Sequence, residues 1–182
     1  MPTKVLPTDE ELMALPKDGY KRELLNGEIV MSPAGSEHGR LIMRLASVFA
    51  PYVYQHGLGE VFDGQTGFRM KSRDVLIPDI SFVSKSRIAM LPEIPEGFFE
   101  GSPDLVIEVR SPSDTPKRFQ EKLIQYFENN TVLAWAINSK RRTMSVYRGP
   151  DKVHVLNEDE ELTGEDIVPG FSIPVSKIFE GF

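Results

Sequence analysis

DLVIEVRSPS, residues 104–113, is an apolar strand with one acid set inside it, closed abruptly at Ser111-Pro112. A run of this kind fits a strand buried on both faces. A helix signal follows, with Ser113 or Asp114 as cap, an end near Asn129, and Phe119, Leu123 and Phe127 on the inner side. TVLAWAINS, residues 131–139, then reads as a second buried strand around Trp135. Upstream, IPDISFVS (77–84) is a strand introduced by a proline, and LPEIPEGFFEGSPD (91–104) is an irregular surface stretch. GEVFDGQTGFRM (59–70) has the pattern of a hairpin turning at Asp63-Gly64. Further back, YKRELLNGEIVMS (20–32) holds two strand-like runs around Asn26-Gly27, a strong hairpin signal.

The helices at the start are marked by their caps. Thr8 and Glu11 form a capping box for a short helix that stops near Pro16. Ser36 caps a longer helix from Glu37 to about Tyr54, with Leu41, Leu45, Val48 and Tyr52 as its buried face. Beyond the central strands, TMSVYRG (143–149) and KVHVLN (152–157) pair across Gly149-Pro150, and GEDIVPGFSIPVSKIFEGF (164–182) is a capping tail. The succession predicts an α/β (α+β) domain: a mixed central sheet flanked by helices, with extra β hairpins, as a single domain over 1–182.

Composition narrows the chemistry. Cysteine is absent, which excludes disulfides, thiol nucleophiles and cysteine-held zinc. Only His38, His56 and His154 supply imidazole, so a metal would be a hard cation held by carboxylates, Mg²⁺ or Mn²⁺. No apolar run is long enough for a membrane helix and the start lacks a secretory h-region, so the cytoplasm is the expected location. A formal net charge of −6 argues against duplex binding driven by charge alone, without excluding a local basic groove.

Two acids stand out because their strands are otherwise apolar: Asp79 in Ile77-Pro78-Asp79-Ile80 and Glu108 in Val106-Ile107-Glu108-Val109. A buried carboxylate is costly unless it is paired or binds a metal. Alternation sets Asp79 with Ser81 and Val83, and Glu108 with Val106 and Arg110. Two strand-borne carboxylates that meet form a divalent-metal site of the kind phosphodiester hydrolysis uses. Pairing of Glu108 with Arg110 or a lysine is the structural alternative. Self-repulsion within such a cluster predicts that removing either acid stabilises the fold.

These segments, taken in order, resemble a known family. Glu23-Leu24-Leu25-Asn26-Gly27-Glu28, Ser36-Glu37-His38, Pro78-Asp79-Ile80-Ser81, the run from Pro103 to Ser113, Lys122 with Tyr126, and Trp135 are similar to the Uma2 family, also called DUF820. That family lies within the PD-(D/E)XK restriction-endonuclease-like superfamily. The resemblance implies a Mg²⁺- or Mn²⁺-dependent endonuclease acting on nucleic acid, DNA rather than RNA. Asp79, Glu108 and the backbone carbonyl of Val109 would hold the metal. Arg110 stands where the motif has lysine and cannot act as a base. The resemblance moves that role to Lys122, whose ammonium would lose its proton in a low-dielectric, metal-bearing site.

Four residues have open roles. Glu23 is a third metal ligand or an exposed strand residue, and His38 a phosphate or water contact or a structural histidine. Tyr126 orients Lys122 or merely packs, and Arg110 pairs with Glu108 or holds a phosphate oxygen. A catalytically silent module binding nucleic acid or protein is the alternative function. The apolar tail residues Phe171, Ile173, Val175, Ile178 and Phe179 suggest a further buried contact and a homodimer.

Overall fold

The structure, a computed structural model, describes residues 7–16, 20–33, 35–111 and 115–180. Thr8 caps α1 (Asp9–Met13) as expected: its side chain accepts from the Glu11 N–H, and the Glu11 carboxylate accepts from the Thr8 N–H. Strands β1 (Tyr20–Leu25) and β2 (Glu28–Pro33) form the expected hairpin. Asn26 and Gly27 take the positive φ values, 53° and 69°, that a two-residue turn requires. Both of their N–H groups donate to the buried carboxylate of Asp74, at 2.9 and 3.0 Å.

Helix α2 (Ser36–Gln55) starts one residue earlier than the sequence suggests, with Gly35 as its N-cap and no side-chain cap bond. Its buried stripe is Leu41, Leu45, Phe49 and Val53, not Val48 and Tyr52. At 3.6 residues per turn both sets lie near one face, and the large Phe49 ring decides the rotation. That ring meets Phe82, Trp135 and Phe171 edge-on. Tyr52 sits at the rim and donates its hydroxyl to the Pro169 carbonyl.

The 59–70 segment is not a hairpin. Strand β3 (Gly59–Asp63) pairs with β6 (Ile80–Ser84) in one sheet, whereas β4 (Phe68–Arg69) pairs with β5 (Val75–Leu76) in another. Phe68 is the reason: it is fully buried and stacks on Phe99, on the far side of the turn. Strand β6 (Ile80–Ser84) leads into α3 (Lys85–Ile88), and β7 (Phe99–Glu100) punctuates the irregular stretch by joining β4 in parallel.

Strand β8 (Leu105–Val109), helix α4 (Pro116–Glu128) and strand β9 (Leu133–Asn138) form the expected strand–helix–strand unit, with β8 and β9 parallel. Thr115 is the cap of α4, accepting from the Arg118 N–H, and Pro116 opens the helix. Ser113 and Asp114, the caps expected from sequence, lie outside the described residues. The chain closes with β10 (Thr143–Tyr147) and β11 (Val153–Leu156), then β12 (Glu161–Thr163), β13 (Ser172–Pro174) and α5 (Val175–Phe179).

The central sheet has six strands in the order β11-β10-β9-β8-β6-β3 and is mixed, as expected; a second sheet runs β2-β1-β5-β4-β7. Alternation along β8 and β9 sorts the two faces. Leu105, Ile107, Val109, Leu133, Trp135 and Ile137 point into the core shared with α2 and the tail. Val106, Ala134 and Ala136 point the other way, into the core shared with α4 and the second sheet. The small alanines leave room for α4 and for the polar side chains it brings.

The tail corrects one expectation. Phe171, Val175, Ile178 and Phe179 are buried in the protein's own core, and Ile173 packs against it. They therefore give no reason for a partner. Phe171→Ala should lower the unfolding free energy by about 3–5 kcal/mol, the usual cost of an emptied aromatic site. Urea denaturation should give the same loss at low and high protein concentration.

Candidate functional site

Antiparallel register aligns the two acids singled out by sequence. Ile80 pairs with Ile107 across β6 and β8, and one more step brings Asp79 opposite Glu108. Asp79 Oδ2 accepts from the Val109 N–H at 2.8 Å, which fixes the carboxylate at the end of β8. Asp79 Oδ1 faces two side chains: Lys21 Nζ at 2.6 Å and His38 Nε2 at 3.2 Å. His38 stands in the first turn of α2, so its reach to Asp79 ties that helix to the site.

Glu108 projects from β8 toward α4. Its Oε1 accepts the Tyr126 hydroxyl at 2.8 Å and lies 2.6 Å from Lys122 Nζ. Lys122 and Tyr126 are four residues apart on one helix face, the spacing that lets both reach a single acceptor. Lys122 also donates to Glu23 Oε2 at 3.0 Å, and Glu23 Oε1 accepts the Ile77 N–H at 2.7 Å. Glu23 is therefore a buried member of the cluster rather than an exposed strand residue.

The sequence reading missed Lys21. Its ammonium lies between Asp79 Oδ1, at 2.6 Å, and Glu108 Oε2, at 3.9 Å. Strand alternation holds the clue, since Lys21 and Glu23 share one face of β1. Arg110 goes elsewhere: its guanidinium lies 4.1 Å from the centroid of the Phe119 ring, and Glu108 takes its cations from Lys122 and Lys21. The expected Arg110–Glu108 pair is replaced because α4 delivers a lysine to that carboxylate.

Electrostatics bind the cluster. Burial would raise the Asp79 pKa, but Lys21 and His38 outweigh it and hold the carboxyl well below the usual range. Burial pushes Glu108 above its ordinary value, against the pull of Lys122 and Lys21. For Lys122 burial acts downward, yet the charges of Glu108 and Glu23 and the hydrogen bond to Glu108 drive it far above its normal value. Lys21 follows the same pattern, with Glu108, Asp79 and Glu23 overcoming burial. Lys122 is thus clamped between two carboxylates that favour its ammonium form.

All the donor atoms of Glu23, Asp79 and Glu108 are carboxylate oxygens, which suits a hard cation. Among the described residues no group of three or more His, Asp or Glu side chains is arranged to hold a metal ion. Mg²⁺ commonly needs only one or two carboxylates and keeps several waters. The Asp79–Glu108 pair meets that requirement.

The fold and this site define the class: a mixed sheet of the restriction-endonuclease-like type, with one acid on β8, the other at the entry to the neighbouring β6, and a lysine from the following helix. The crystal structure of "a putative nuclease belonging to DUF820" from Anabaena variabilis ATCC 29413 matches with a TM-score of 0.80 at 21% identity, over 95% of this chain and 97% of that one. The Uma2 family, described as "Putative restriction endonuclease", matches residues 9–176, and the chain belongs to it. No curated protein matches. Among the described residues no helix is long and apolar enough to cross a membrane.

Because the acids are paired with cations, removing one should destabilise, not relieve, the fold. Asp79→Ala should cost about 3–5 kcal/mol at neutral pH, as expected when one partner of a buried pair is deleted. The sign with pH follows from the lowered pKa. Asp79's contribution is complete above the unfolded carboxylate value of about 3.9 and drains away as pH falls through and below it. Urea denaturation of the parent and Asp79→Ala from neutral pH down to about 3 should show the gap closing at the acid end.

Proposed function

We propose that the protein is a single-domain, metal-dependent endonuclease that hydrolyses phosphodiester bonds of DNA in the cytoplasm. The observation that carries this reading is convergence. Asp79, Glu108 and Lys122 come from three separate segments, and Glu108 contacts Lys122 at 2.6 Å beside the Val109 N–H that anchors Asp79. Membership of a family described as "Putative restriction endonuclease" supports the same chemistry.

Asp79, Glu108 and the Val109 carbonyl would hold Mg²⁺ or Mn²⁺, which activates water and neutralises charge on a phosphate. Lys122 keeps its proton on Nζ and offers its remaining N–H to a phosphate oxygen, a preorganised charge aimed at the transition state. Tyr126 fixes the Glu108 carboxylate by its hydroxyl. His38, partly exposed at the rim, donates from Nε2 to Asp79 Oδ1, and its exposed ring edge would meet incoming water or phosphate. Arg110 holds the start of α4 through Phe119. A homodimer, which sets two such sites against two strands, is read by light scattering.

One observation favours the alternative, a silent binding module. Lys21 and Lys122 already neutralise much of the acid cluster without a metal. Mn²⁺ calorimetry separates the two readings. An enzyme shows one site that Asp79→Ala and Glu108→Ala each abolish, and DNA cleavage that EDTA stops. Lys122→Met should slow single-turnover cleavage by about 10²–10³-fold, the loss typical of one preorganised donor, with Mn²⁺ affinity little changed. Parent-like cleavage by that variant would remove Lys122 from the machinery.

A further inference from the structure

The two lysines divide the acid cluster unequally. Lys122 Nζ takes Glu108 Oε1 and Glu23 Oε2, at 2.6 and 3.0 Å, and leaves the space between Asp79 and Glu108 open. Lys21 fills that space, with Nζ at 2.6 Å from Asp79 Oδ1 and 3.9 Å from Glu108 Oε2. Those are the two carboxylates that the proposed function gives to the metal. Lys21 arrives on β1, from the second sheet, whereas Glu108 stands on the central one and Asp79 at the entry to its strand β6.

A divalent ion held by two carboxylates sits at about 2.0–2.1 Å from its oxygens. An ammonium in contact with Asp79 and ion-paired with Glu108 at 3.9 Å occupies the ground such an ion needs, and the two positive charges repel at short range. Lys21 has a way out. Its side chain is 18% exposed, on a strand whose N-terminal residue Tyr20 is itself exposed.

We propose that Lys21 is a resident counter-ion of the Asp79–Glu108 pair, and that metal loading is a cation exchange in which the divalent ion displaces the Lys21 ammonium toward solvent. The inference rests on the metal-site reading above and adds the residue that regulates entry. Without metal, Lys21 keeps two buried acids compensated and the site folded. With metal, that duty passes to the ion. The exchange costs the protein affinity for metal and gives it a stable empty form.

The test uses the full chain as parent, Lys21→Met and Lys21→Gln. Mn²⁺ is titrated into each by calorimetry at neutral pH. Both variants should bind Mn²⁺ about tenfold or more tightly than the parent, because a competing unit charge has gone. Both should also melt lower than the parent without metal and recover more on adding it. A second measurement needs no variant: reductive methylation of the parent, read by mass spectrometry, should label Lys21 faster with Mn²⁺ than without, with Lys122 as internal reference. Equal or weaker Mn²⁺ affinity in the folded variants, or Lys21 labelling unmoved by Mn²⁺, overturns the exchange while leaving the metal site standing. Absence of Mn²⁺ binding in all three proteins overturns the metal site itself and the exchange with it.

Discussion

The carboxylate of Asp79 is the point on which the other parts of the site converge. One oxygen is tied to the backbone of β8, and the other faces a lysine from the second sheet and a histidine from α2. Three pieces of structure distant in sequence are therefore registered against one side chain, buried where an isolated charge would be costly. The cost is offset only because every partner is present at once. Such networks are cooperative in placement: moving β1, α2 or β8 leaves a charge uncompensated.

That constraint also explains why the second sheet packs where it does. Strand β1 carries Lys21 and Glu23 on one face, and these meet Asp79, Lys122 and the Ile77 N–H. Its other anchor is apolar, with Leu25 buried in the core shared with α4. The Asn26-Gly27 turn adds a third, through the Asp74 carboxylate. The hairpin is thus held by a charge cluster at one end and by a buried carboxylate at its turn.

Sequence patterning disclosed those features whose cause is local. The capping box at Thr8, the Asn26-Gly27 turn and the apolar strands around Glu108 and Trp135 depend on neighbours in the chain, and they stand where periodicity sets them. It failed where a distant partner chose. The Asp63-Gly64 turn joins two sheets because Phe68 finds Phe99, and α2 is rotated because Phe49 finds three other rings. Within the site, Asp79, Glu108, Lys122, Glu23, His38 and Tyr126 were all visible as residues, and the structure brings them together. Lys21 was not: alternation sets it on the Glu23 face of β1, but only the docking of the second sheet against the first draws it between Asp79 and Glu108.

Arg110 and Lys122 divide two cationic duties between strand end and helix. Both Glu108 and Arg110 leave β8 toward α4, and each engages the same face of that helix. Arg110 lies over Phe119, and Glu108 holds Lys122 and Tyr126, three and seven residues further along. A planar guanidinium stacks on a ring far better than an ammonium does, and it never sheds its charge. The strand arginine can therefore serve as a brace that sets the rotation of α4. Once that rotation is fixed, the spacing of Phe119, Lys122 and Tyr126 along one face delivers the lysine to the acid from the helix. A lysine at 110 would give up the stacking contact and put a further ammonium in competition for Glu108, which already has Lys122 and Lys21 beside it.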